Sequence, residues 1–167
     1  MLKSPFLNAF VEALPQKGFV YDMGAGSMRV SQLLIDEGLN VVAIDKKELP
    51  KTETPVPYRQ DWIQSFDYTQ TANGFLFKNS LQFVNKQIVF EKILPSILPG
   101  TVVAIETFTA NPEPDFKTPV TSLYEQADFS LPEFVCLFAN TFEIVKPGLD
   151  GVERKFSMLQ IILKRVM

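Results

Sequence analysis

Phe19-Val20-Tyr21-Asp22-Met23-Gly24-Ala25-Gly26-Ser27 is the stretch on which the reading of this 167-residue chain turns. Its first five residues form an apolar run of the length of a buried strand, closed by two glycines one residue apart. A glycine has no Cβ, so the backbone can bend sharply there and come close to a ligand. A helix starting at the bend offers unpaired N–H groups.

Downstream, Val30, Leu33 and Leu34 recur at helical spacing up to a stop at Gly38. Asn40-Val41-Val42-Ala43-Ile44-Asp45 then reads as a second buried strand ending in a carboxylate. Strand, glycine turn, helix and strand make a βαβ unit, whose strands lie parallel through a right-handed crossover. Upstream, Ser4-Pro5 is an N-cap and first-turn proline for an amphipathic helix carrying Phe6, Leu7, Phe10, Val11 and Leu14 and ended by Pro15 and Gly18.

The alternation continues along the chain. Short strands are expected at 56–58 and 74–77, a helix bent at Pro95 over 84–98, and a β-branched strand at 101–106 after the Pro99-Gly100 turn. Residues 111–119, with prolines at 112, 114 and 119, are expected to form a surface loop or lid. A short helix opened by Pro132 is expected over 131–138. Strands at 141–145 and 156–166 close the chain as an antiparallel hairpin. The expected fold is therefore α/β: a Rossmann-like open twisted sheet of about seven strands, mostly parallel, with a C-terminal antiparallel hairpin and helices on both faces. It makes one domain, 1–167.

Composition removes several chemistries. The chain has no histidine, which excludes the Ser-His-Asp relay and imidazole as a base. Its one cysteine, Cys136, gives no intrachain disulfide and no thiolate cluster, so no metal is expected. A net charge of −3 without Lys/Arg clusters argues against a large nucleic-acid substrate. No apolar run is long enough to span a bilayer, and Met1-Leu2-Lys3-Ser4-Pro5 does not open a secretory signal, so a cytoplasmic location is expected.

In an open parallel sheet ligands bind beyond the C-terminal strand ends, where Asp22, Asp45 and Asp61 would converge. Asp45 lies 21 positions after Gly24, the distance at which an acid meets ribose hydroxyls on the neighbouring strand. That spacing points to a nucleoside. The bland alternatives are helix caps for Asp22 and Asp45, a loop acid and an anchor for Asp61-Trp62, and a turn residue for Asn79. Arg29 and Ser31 are expected on the helix surface and in its packing. Glu106, at the end of the strand over 101–106, is either a pocket acid or a solvated strand terminus.

Tyr21-Asp22-Met23-Gly24-Ala25-Gly26-Ser27-Met28-Arg29-Val30-Ser31 resembles the first motif of class I S-adenosylmethionine-dependent methyltransferases, with an acid two positions before GxG. Val41 to Asp45 is similar to the family's second strand, Gln60-Asp61-Trp62 to its third-strand end, 73–83 to its fourth-strand region, and Leu98-Pro99-Gly100 to the turn before its fifth. The resemblance covers nearly the whole chain and is nearest to small-molecule enzymes of the tellurite- and thiopurine-resistance type. It implies S-adenosylmethionine as cofactor and a small-molecule acceptor. The cofactor-binding set it implies is Asp22, Gly24, Ala25, Gly26, Asp45, Lys46, Asp61, Trp62 and Asn79. Asp22 and the backbone from Gly24 to Ser27 would hold the amino-acid end, Asp45 the ribose, Asp61 and Trp62 the adenine.

Two departures stand out: Met28 occupies the place of the family's third glycine, and Lys78-Asn79-Ser80-Leu81 carries no familiar catalytic signature. No catalytic residue is assigned; Glu106, Asp128, Tyr124 and Lys78 are the candidate bases should the acceptor need one. The acceptor is expected beneath the 111–119 loop and the first helix. Two rival functions stay open: the same fold without turnover, and an NAD-binding oxidoreductase.

Overall fold

The computed structural model describes residues 2–48, 55–109, 120–147 and 151–167. Seven strands form one sheet: β1 Phe19–Met23, β2 Asn40–Asp45, β3 Tyr58–Gln60, β4 Gly74–Lys78, β5 Val102–Phe108, β6 Phe134–Pro147 and β7 Glu153–Arg165. Their order is β3-β2-β1-β4-β5-β7-β6. The first five are parallel, and β7 enters antiparallel between β5 and β6. This order departs from the 3-2-1-4-5-6 order of doubly wound dinucleotide folds by that antiparallel strand.

Helices cover both faces. On one, α1 (Pro5–Glu12) and α2 (Arg29–Asp36) bury Phe6, Phe10 and Leu34 against Val20, Val41, Leu76 and Ala104. Ser4 caps α1 through its side chain, which accepts from the Leu7 N–H, and Pro5 follows in the first turn. On the other face, α3 (86–96) buries Val89, Ile93 and Leu94 against Phe75, Phe77, Val103 and Ile105. Each fully buried aromatic of these layers is worth about 2–3 kcal/mol of apolar transfer.

α3 is not uniform. An α turn, Lys86–Ile88, passes into a π turn, Val89–Ile93, and back to an α turn, Leu94–Ser96. Pro95 has no N–H to give to an i−4 carbonyl, and the wider turn lies directly before it. The strand expected at 56–58 is shifted to Tyr58–Gln60, and both hairpin strands are longer than expected.

The helix expected over 131–138 is absent. Pro132 and Glu133 form a turn, and Phe134 begins β6, which pairs with β7 along its length with a bulge between Cys136 and Phe138. Aromatic and β-branched residues dominate this run, and the pairing with distant β7 decides its conformation. The 111–119 loop lies outside the described residues. The first helix does not cover the mouth of the sheet: Phe10 and Leu14 reach Gly74 at the start of β4, the end opposite the C-terminal strand tips.

Candidate functional site

β1, β2 and β4 end side by side, and the glycine turn after β1 is held down on β2. Gly24 N–H and Ala25 N–H both donate to the Ile44 carbonyl, at 2.7 and 3.0 Å, and Gly26 N–H donates to Asp45 Oδ2 at 2.9 Å. The turn uses positive φ at Gly24 (78°), Gly26 (54°) and Met28 (58°). At Gly24 glycine is required twice over, because a Cβ there would stand 2.6 Å from the Cβ of Ser80. Met28 adopts a conformation that glycine takes freely, and its buried side chain packs with Ala43 and Val56 on neither cleft wall.

Two clefts open at these strand ends and share Gly24 and Asn79 in their walls. The first runs over β2 and the segment after β3, past Asp45, Lys46, Lys47, Trp62, Ile63, Phe83 and Val84. Trp62 is 54% exposed, and the Lys46 ammonium lies 5.3 Å from its ring centroid, a cation–π pair on the cleft wall. Asp45 turns one carboxylate oxygen to Gly26 and the other to the Lys47 N–H at 3.1 Å. Each oxygen has a further lone pair, so the group can still accept from vicinal hydroxyls.

The second cleft is walled by Asp22, Ala25, Ser27, Arg29, Val30 and Lys78. Asp22 is 2% exposed and accepts from the Ser31 hydroxyl at 2.6 Å. Burial pushes its carboxyl from 3.8 up to about 6; Ser31 and the Lys78 charge pull the other way, and the Asp45 charge adds to the rise. Between those two pH values the folded protein holds this proton more tightly than the unfolded chain does. Stability therefore falls as pH rises from about 4 to 6, and the cost persists above 6. We expect Asp22→Asn to flatten that limb of the stability curve and to raise unfolding free energy at pH 8 by about 2–3 kcal/mol. Urea titrations of both proteins from pH 4 to 8 check this; a variant less stable than wild type at pH 8 would contradict it.

The structure brings Asp22, Gly24, Ala25, Asp45, Lys46, Trp62 and Asn79 to the clefts, with Gly26 bonded to Asp45 behind them. It does not bring Asp61. That carboxylate pairs with Arg59 at 2.8 Å and accepts from the Trp62 N–H, on neither cleft wall. Among the described residues neither Asp22 nor Asp45 caps a helix; the N-cap of α2 is Met28, which makes no side-chain cap bond. Of the Gly24 to Ser27 backbone, expected to supply anion donors, the N–H groups of Gly24, Ala25 and Gly26 are engaged by the end of β2. Arg29, expected on the helix surface, stands on the cleft wall with its Nε donating to Ser27 Oγ.

Glu106 is neither a free pocket acid nor a solvated terminus. It is 6% exposed and receives Lys78 Nζ, Asn79 Nδ2 and Gln160 Nε2, the last at 2.6 Å. The Asn79 amide donates one N–H into this network, and its backbone sits at φ 55°. The other candidate bases have structural partners as well. The Tyr124 hydroxyl donates to the Leu81 and Val84 carbonyls, and Asp128 pairs with Lys86 and closes a capping box with Glu125. Ser31, Ile63, Ser80, Phe83 and Val84 were not singled out as site residues by the sequence; single hydroxyls and apolar wall residues carry no spacing signal.

No sequence-family model matches the chain, and no curated protein matches it. Solved structures do. A methyltransferase of Methanosarcina mazei described as S-adenosylmethionine-dependent superposes over 100% of both chains with a TM-score of 0.71 at 14% identity. The chain has the class I methyltransferase fold. TehB of Haemophilus influenzae matches this fold over 98% of the present chain and 62% of its own, with a TM-score of 0.72 at 14% identity. A third match is the 1,6-didemethyltoxoflavin-N1-methyltransferase of Burkholderia thailandensis, solved with S-adenosylhomocysteine. It covers 99% of this chain and 80% of its own, with a TM-score of 0.65 at 14% identity. Within the methyltransferase fold the two clefts lie at the β1–β4 switch point, where open α/β sheets bind ligands. Among the described residues no helix is long and apolar enough to cross a membrane.

Proposed function

We propose that this chain is an S-adenosylmethionine-dependent methyltransferase acting on a small-molecule acceptor. The observation that carries the reading is the meeting of the two clefts at Gly24 and Asn79, with one carboxylate on either side: Asp45 over β2 and Asp22 over β1. A cofactor with a nucleoside at one end and an amino acid at the other asks for that division. Asp45 accepts from the two ribose hydroxyls, a charge-assisted pairing, while Trp62 and Ile63 cover an adenine face. Asp22 faces the ammonium, and Arg29 with the start of α2 faces the carboxylate.

When bound, the cofactor supplies an electrophilic methyl group on a positively charged sulfur. The chain contributes alignment and exclusion of water, which in favourable systems supply ~7–11 kcal/mol. Lys78-Asn79, at the β4 exit beside Gly24, forms the side from which an acceptor approaches. A net charge of −3 and the similarity to a small-molecule N-methyltransferase support a small acceptor over a nucleic acid, although a putative RNA methyltransferase of Pyrococcus horikoshii has a similar fold at 14% identity.

The second reading is the same fold without turnover, favoured by the full engagement of Glu106, Tyr124 and Asp128 in structural contacts. Calorimetric titration with S-adenosylmethionine, S-adenosylhomocysteine and NAD tests the cofactor assignment. We expect saturable binding of the first two and none of NAD; the reverse pattern would overturn it. Transfer of labelled methyl groups to a panel of small thiols, amines and phenols then separates enzyme from scaffold.

A further inference from the structure

Ser80 has a property that neither the fold nor the proposed function explains. It follows the β4 exit, is 5% exposed, and precedes the 3₁₀ turn Leu81–Phe83 without capping it. Among the described residues its Oγ is the one buried side-chain nitrogen or oxygen without a hydrogen-bond partner. Leaving a buried hydroxyl unpaired is costly, and an alanine at the same place would carry no such cost. Its Cβ packs close to Gly24, and with Gly24 and Ile63 it lines the first cleft.

We propose that Ser80 is a nucleoside-binding residue whose hydroxyl makes its missing hydrogen bond to the bound ligand. The inference rests on the nucleoside reading of this cleft. A nucleoside presents two kinds of polar atom. Its ribose hydroxyls donate and suit Asp45, which as a carboxylate only accepts; its ring oxygen and ring nitrogens accept and need a donor. The Ser80 hydroxyl is a donor in the wall of the same cleft. The oxygen is buried while the residue lines the cleft, so a change between staggered rotamers about Cα–Cβ is the movement by which the hydroxyl would reach the ligand. An unsatisfied group in the free state makes ligand binding the step at which the bond is gained.

The test pairs ligand-free thermal unfolding with calorimetric titration of adenosine and of S-adenosylhomocysteine, on wild type and Ser80→Ala. The ligand-free variant should unfold at or above the wild-type temperature, because no bond is lost. It should bind both ligands about tenfold more weakly, the equivalent of one hydrogen bond to a buried partner. Equal affinity of wild type and Ser80→Ala would overturn the inference alone, as would a loss confined to S-adenosylhomocysteine, which places the hydroxyl at the amino-acid end. A variant that unfolds several degrees lower would also overturn it, by giving the hydroxyl a structural partner. Failure of wild type to bind either nucleoside would overturn the underlying reading.

Discussion

Asp45→Ala is expected to lower the affinity for S-adenosylhomocysteine by about a hundredfold or more. Two charge-assisted hydrogen bonds to ribose are lost, each worth roughly 1.5–3 kcal/mol where the alternative is an unpaired group. The same carboxylate holds the Gly26 N–H, so its removal also loosens the turn on which the ligand would rest. Asp45→Asn separates the two effects. Its amide oxygen can keep the Gly26 contact, but it has only one acceptor atom to share with the hydroxyls. A smaller loss than in the alanine variant is therefore expected. Undiminished affinity in Asp45→Ala would remove Asp45 from the ribose.

The second large effect is expected at Gly24. A methyl group there would stand 2.6 Å from Ser80 Cβ and 3.4 Å from Ile63 Cδ1, on a backbone at φ 78° that L residues avoid. Strain and overlap together cost about 2–4 kcal/mol, and the added carbon intrudes where the two clefts join. Gly24→Ala should melt roughly 5–15 °C lower and bind S-adenosylhomocysteine poorly. Gly26→Ala is the internal control. Its Cβ would meet nothing within 4 Å, so only the cost of φ 54° remains, about 1 kcal/mol. Equal melting temperatures for the two variants would show that the Ser80 contact does not constrain the turn.

What could be read in advance was the part governed by local pattern. The run from Phe19 to Asp45 holds a strand, a glycine bend, a helical period and a second strand in immediate succession, and these dictate the parallel crossover and the position of both acids. The misreadings come where distant partners decide. Leu131 to Phe138 is short, apolar and preceded by a proline, a description that suits a helix start as well as a strand. Only β7 resolves it. The place of Asp61 off the cleft walls has a local cause that spacing hides: residues two apart on an extended chain point the same way, so its carboxylate pairs with Arg59. The engagement of Glu106 by Lys78, Asn79 and Gln160 joins three separate strand regions, and no window of sequence contains it.

Asp22 illustrates a cost retained at a site. A carboxylate 2% exposed, held by a single serine, destabilises the ligand-free fold above pH 6, and an asparagine would fit the same place without that cost. The proposed recompense is the ammonium of the cofactor, which pairs with the ionised form only. Cofactor affinity should accordingly weaken as pH falls below about 6, in the direction opposite to the stability of the free protein.

The claim on which these expectations rest is that the two clefts form one site, divided between a nucleoside and an amino acid at Gly24. A crystal structure of the chain grown with S-adenosylhomocysteine tests it most directly. The account predicts both ribose hydroxyls on the Asp45 carboxylate and the ligand ammonium facing Asp22. A nucleoside seated away from Asp45, or an amino-acid tail directed out of the Asp22 cleft, would contradict it.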